Sequence, residues 1–284
     1  MIKKLLFAIP VLAICSCGNN KTETTADQQT PAPKKDSVVS TAAQPENDMA
    51  DFKFHKLILN IPSPFEIINL LPKSGMEFNK SLANSTDNAS KYLTSFKKAL
   101  NYGVYGVDMI YLSTNEQYSD IKKYFATTRK FAKDLDAGES FDKIMGSRIE
   151  KNINSKDTMN KIMDDLYSEM DNYLKSNERL LTSTQITTGS WIESQYITMS
   201  CVKNLDKNKN NEVLFQKVFE ARNELKELVN LLKEYEKDKE FNPLIKELNE
   251  LEKIYSEIKT NDIDKALMNK ISDKLTIVRG KIVS

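Results

Sequence analysis

Near the end of the chain, apolar residues recur at steps of four and three: Leu244, Leu248, Leu251, Tyr255 and Ile258. A helix with one buried seam has this spacing, whereas a strand needs alternation with period two. Two further stripes flank it: Val218, Leu225, Leu228, Leu232 and Tyr235, and Leu267, Ile271, Leu275, Val278 and Ile282. Their opposite faces are Lys, Glu and Asp. Stripes of this kind pack on one another in an antiparallel bundle, or leave a groove for a partner helix. With only 8 Gly and 8 Pro in 284 residues, a turn-rich β fold lacks its punctuation. The expected fold is all-α: a multi-helix antiparallel bundle ending in a C-terminal three-helix bundle.

Upstream, caps and periodicity divide the chain into further helices. Ser63-Pro64-Phe65-Glu66 reads as a capping box that opens a short helix stopping near Pro72. Residues 88–113 follow Thr86-Asp87, and 115–136 follow Thr114, with Gln117 closing a capping box. A shorter helix covers 141–153, and 158–181 follow Asp157. Thr182 to Gln185 start a helix to about 204, and a polar loop at 206–211 precedes 212–239. Asn242-Pro243 caps the next helix to about 259, and Asp262 caps the last, ending at Gly280. Residues 51–284 then form one helical domain, with a sub-boundary near 205–212. Phe52 to Ile61 reads as an extended strap over the helices or a short strand.

Two segments share the pattern acid-x-x-Tyr-apolar: Asp108 to Leu112 and Glu193 to Ile197. Each follows glycine-bearing helix, Gly103 and Gly106 in the first and Gly189 in the second. Duplicated helical hairpins would produce this. Glycine inside a helix costs about 1 kcal/mol relative to Ala, so tertiary structure must offset it. Close helix approach does so, as does backbone access beside a ligand. Asp108 and Glu193 lie among apolar residues, and a buried carboxylate needs partners. Tyr111, Tyr196, Arg129 and Arg222 are the candidates. A structural bond between helices is one reading of the acids. A small-ligand site between the 103–111 and 189–196 helices, drawing on Asp108, Tyr111, Trp191, Glu193 and Tyr196, is another.

The N-terminus sets the location. Lys3 and Lys4 precede an apolar run from Leu5 to Ile14, shorter than the about 20 residues that span a bilayer. Ser16-Cys17 resembles a lipobox, in which a small residue precedes the cysteine that is diacylated. Residues 1–16 read as a lipoprotein signal peptide, Cys17 as the lipidated residue, and 17–50 as a disordered tether without aromatic residues. Such a tether reaches roughly 30 Å. The expected location is the outer membrane, on its periplasmic face or the cell surface, with the membrane itself a partner through the lipid.

Several chemistries lack their residues. Lys+Arg (41) balances Asp+Glu (40), and no basic block suggests nucleic acid. Once Cys15 leaves and Cys17 is acylated, Cys201 stands alone in an apolar helical context, as a packing thiol. The one histidine, His55, lies in the strap, so a His-based metal site or catalytic triad has no basis in the helices. No phosphate-binding glycine loop is present. No cofactor and no metal are expected. The acidic clusters Asp164-Asp165 and Asp134/Asp136 read as solvated faces.

Pro62-Ser63-Pro64-Phe65-Glu66, the stretch Ala99 to Asp108, and Gly189-Ser190-Trp191-Ile192-Glu193 resemble a group of all-helical lipoproteins of Bacteroidota-type bacteria. There the matching stretches look like P-S-P-F-E, L-G-V-Y-G-A-D and G-G-W-I-E, so Ser190 replaces a second glycine. The likeness spans roughly residues 60–200 and implies fold class and localisation, with no activity attached. The expected function is therefore a non-catalytic, membrane-anchored binding or interaction module for an envelope protein or small ligand. The small-ligand receptor is the first alternative, and a carboxylate-based envelope hydrolase the second.

Overall fold

In the computed structural model of the chain, the described residues are 63–152, 155–177 and 179–284. The signal, Cys17, the tether and the Phe52–Ile61 strap with His55 lie outside them. Ten α-helices occur among the described residues: α1 Pro64–Ile68, α2 Leu70–Lys73, α3 Ser95–Thr114, α4 Tyr118–Asp134, α5 Gly138–Asn152, α6 Lys156–Ser176, α7 Leu180–Val202, α8 Glu212–Leu232, α9 Phe241–Tyr255 and α10 Lys265–Val283. Short 3-10 turns cover Lys80–Leu82, Thr86–Lys91 and Lys233–Tyr235. No strand occurs among these residues, and no helix there is long and apolar enough to cross a membrane. The fold is all-α.

Several helix starts differ from expectation because another side chain supplies the cap. Residues 86–91 form a 3-10 turn, and α3 begins only after Thr94, whose hydroxyl accepts from Lys97 N at 3.2 Å. Thr114 ends α3 instead of opening α4, and its hydroxyl donates to Asn69 Oδ1 at 2.8 Å. α7 starts at Leu180, ahead of Thr182, without a side-chain cap. Asp238, not Asn242, caps α9, accepting from Glu240 N (2.8 Å) and Phe241 N (3.1 Å). Asp264, not Asp262, caps α10 through Leu267 N at 2.8 Å. Ser63 caps α1, but Glu66 leaves the capping box and pairs with Lys217 Nζ at 2.8 Å.

The C-terminal stripes are buried as their spacing requires: Leu248, Leu251, Tyr255, Ile271, Leu275 and Val278 are all inaccessible to solvent. α9 packs against both α8 and α10, and α10 reaches beyond it onto α7. The most extensive helix contact joins α3 to α7. Both helices are buried almost throughout. α7 tolerates this in part because several of its small polar side chains bond inside the helix. Thr188 Oγ1 and Thr198 Oγ1 each donate to the carbonyl one turn back, at 2.7 Å.

Reciprocal glycines set the approach of α3 to α7. A Cβ on Gly103 would lie 2.7 Å from Ser190 N and closer still to Ile186 O. One on Gly189 would lie 2.8 Å from the Leu100 carbonyl carbon and closer still to its oxygen. Each glycine thus rests on the carbonyl three residues before the other, leaving room only for Cα–H···O contacts. Farther along, Asp108 lies beside Glu193, so contacts advance together on both chains and the helices run parallel. α10 lies antiparallel to both, with Arg279 at Glu193 and Ile282 at Asn101. The duplicated-hairpin reading fits only part of this. α4 lies along α3, whereas α8 lies mainly along α9 rather than α7.

Candidate functional site

One face of α3 carries Asn101, Tyr105 and Asp108 toward residues 79–92 and α10. Asp108 and Glu193 are fully buried. Asp108 Oδ2 accepts from Asn84 N at 3.1 Å. Glu193 is held by Arg279 in a two-point grip, Nε to Oε2 at 2.6 Å and Nη2 to Oε1 at 2.7 Å. Arg279 Nη2 also donates to Leu82 O at 3.1 Å, and its guanidinium lies 4.2 Å from the Tyr196 ring centroid. Around them, Asn84 Nδ2 donates to Tyr92 Oη (2.9 Å), and Tyr92 Oη donates to Val283 O (3.0 Å). Asn101 Nδ2 donates to Ile282 O at 2.7 Å. Tyr92 and Asn101 thus satisfy two carbonyls that the end of α10 leaves open.

Two acids share one guanidinium here, so a proton is needed. Burial pushes the Asp108 carboxyl well above its usual range, and the Glu193 charge adds to the push, while Arg279 opposes it. No donor among the described residues reaches Asp108 Oδ1. A protonated Asp108 supplies the donor itself, toward the Glu193 carboxylate beside it. The arrangement is then a neutral acid and a carboxylate, both buried, against an arginine whose side chain keeps a little solvent contact. It joins α3, α7 and α10.

The five residues grouped in the sequence do not face one cavity. Asp108, Glu193 and Tyr196 come together around Arg279. Tyr111 turns away, accepting from Asn79 N at 2.9 Å beside Phe78. Trp191 points to the other side of α7, where Nε1 donates to Glu224 Oε2 at 3.1 Å against Tyr255. Burial raises the Glu224 carboxyl to about 7. The expected arginine partners are engaged elsewhere: Arg129 chelates Asp142, and Arg222 donates to Ile258 O at 3.0 Å. Arg279, Asn84 and Glu224 went unrecognised in the sequence. Arg279 left one trace there, its place next to Val278 in an apolar stripe. Cys201 is half-buried against the core, and burial pushes its thiol up to about 11. No cluster of three or more metal-binding side chains occurs among the described residues.

The space between α3 and α7 at the glycines is filled by backbone, so a ligand site directly between them has no room. The opposite face of α3 opens instead onto a cleft bounded by α6 and α7. Tyr102, Gly106 and Met109 face Met163, Met170 and Ile186 across it. It is narrow, with a water-accessible volume of about 40 Å³, and its walls are mainly apolar. At the rim, Ser183 Oγ donates to Asp171 Oδ1 at 2.7 Å, and Lys175 pairs with the same carboxylate. No protein-family model, curated protein or solved structure matches the chain.

Proposed function

We propose that this chain is a lipid-anchored, non-catalytic binding protein of the outer membrane whose helical body holds a small ligand. The observation that carries the reading is the apolar cleft against α3. The core acids support it, because each is committed to a structural partner: Asp108 to Asn84, Glu193 to Arg279 and Glu224 to Trp191. The Lys3-to-Cys17 segment supports the anchor, with Ser16 at the small-residue position.

Two measurements test the two halves. Fatty-acid labelling of cells should tag wild type and not Cys17→Ser; label that disappears only with Cys15→Ser would refute the anchor. Solvent extraction of the chain isolated from its own envelopes, followed by mass spectrometry, should recover an apolar molecule in near one-to-one amount. Extracts indistinguishable from those of an unrelated lipoprotein would refute the binding reading.

A further inference from the structure

We propose that the groove between α4 and α5 docks the anionic phosphate headgroups of a phospholipid bilayer and so lays the cationic face of α4 on the membrane surface. The choice of a bilayer rests on the lipid-anchored reading; the surface and its chemistry go beyond it.

The charge of α4 is set against a balanced chain. Residues 121–133 carry Lys122, Lys123, Arg129, Lys130 and Lys133 and no acid, although Lys+Arg and Asp+Glu stand at 41 and 40 overall. α10 is also basic, but its cations are spent inside the protein. Lys265 pairs with Asp206, Lys270 with Glu257, Lys274 with Glu247 and Glu250, Arg279 with Glu193, and Lys281 with Glu247. On α4, Arg129 pairs with Asp142, whose carboxyl that bond holds below its usual range, with a smaller pull from Lys133. Lys122, Lys130 and Lys133 are exposed and form no ion pair among the described residues. The acids at the two ends of α4 are taken, Asp120 by Lys80 and Asp134 by Lys98. Lys123 lies in the neighbouring cleft with Asp120.

Spacing then gathers the charge. Positions 122, 126, 129, 130 and 133 fall on one side of a helix. With that face the four cations line an open groove of about 760 Å³. Its floor is apolar: Phe125, set against Phe141 at 5.4 Å between ring centroids, and the buried Ile149 of α5. A cationic rim over an apolar floor suits an amphiphilic anion. Phosphates meet the ammonium heads, while the lysine stems and the glycerol region cover the floor. Each lysine at an anionic bilayer strengthens binding by about fivefold. A tether of roughly 30 Å keeps the body at high effective concentration beside the lipid, so a patch of this modest strength is enough.

The test is co-sedimentation of residues 17–284 bearing Cys17→Ser, which carry neither the apolar signal nor an acyl chain, with lipid vesicles. The parent should bind phosphatidylglycerol vesicles at low salt, release them as salt rises, and ignore phosphatidylcholine vesicles. Ala126→Glu places a carboxylate four residues from both Lys122 and Lys130. It should melt no lower than the parent, because it pairs them along the helix, and bind phosphatidylglycerol about tenfold more weakly. Lys122→Gln with Lys130→Gln and Lys133→Gln should weaken binding about a hundredfold. Lys233→Gln with Lys237→Gln and Lys239→Gln removes the same charge from a segment of alternating sign and should leave binding unchanged. Equal losses in the two triple variants, parental affinity in Ala126→Glu, or equal binding to phosphatidylcholine overturns the proposal. Competition by inorganic phosphate at the concentration of lipid phosphate would mean a free-anion site and overturns it too. Fatty-acid labelling separates the two readings. Label on Cys17 without vesicle binding overturns this surface and leaves the anchor; vesicle binding without label supports the surface and overturns the anchor.

Discussion

At the scale of single residues, the core is organised by where its protons sit. Asp108→Asn preserves the shape of a neutral acid, so it should cost less than about 1 kcal/mol in urea unfolding. Glu193→Gln strips the counter-charge from a buried arginine and should cost about 3–5 kcal/mol. The reverse order would show that Asp108 is the ionised member. Glu224 gives a pH dependence. Burial raises its carboxyl to about 7; Trp191 and Lys217 pull it down, while Glu220 and Glu66 push it up. A raised folded-state pKa means the protonated acid suits the fold. Its contribution is whole below the unfolded value of about 4.3 and is lost as pH rises through about 7, amounting to roughly 3–4 kcal/mol. Trp191 is the only tryptophan, so intrinsic fluorescence should titrate with a midpoint near 7 and stay flat in Glu224→Gln. A wild-type signal without that midpoint would contradict the assignment. Asp108 and Glu193 were legible in the sequence because a charge among apolar neighbours stands out. Arg279 was not, because it sits on a helix already rich in lysines.

At the scale of elements, two glycines fix one helix pair. Gly103→Ala and Gly189→Ala each drive a methyl into a facing carbonyl, which should cost about 1–3 kcal/mol even after the gain in helix propensity. Gly280→Ala meets nothing within 4 Å and should stabilise by up to about 1 kcal/mol. Thermal melts of the three variants decide it; equal effects would remove the close-approach account. Helices themselves were readable from the 3.6-residue period, but their ends were less so. Thr86, Thr114 and Asp262 are good caps locally, yet Thr94 and Asp264 are the ones used. Choosing among nearby caps depends on which residues the core must bury. Tyr92, which packs edge-on to Phe131 and reaches Val283 O, holds residues 86–92 out of α3.

At the scale of the molecule, the last helices are not a unit apart. The stripes on α8, α9 and α10 are legible as mutually packing faces, but α10 also closes the α3–α7 pair. The residues that tie its end there, Tyr92 and Asn101, have no pattern in the sequence that reveals their target. A fragment of residues 206–284 should therefore show helical circular dichroism with weak near-ultraviolet signal and a broad, non-cooperative melt. A sharp cooperative transition in that fragment would show an independent bundle.

The position of Arg279 has a consequence for how the protein is made. Synthesis delivers the chain from its N-terminus, and Asp108 and Glu193 are complete long before their cation. Until the final helix emerges, the two acids cannot be enclosed together at low cost, and the ends of residues 82–101 have nothing to grip. Closure of this part of the core therefore needs α10 in place. A product that stops before α10 leaves Glu193 without its guanidinium and should be cut faster by protease than a chain that carries the helix.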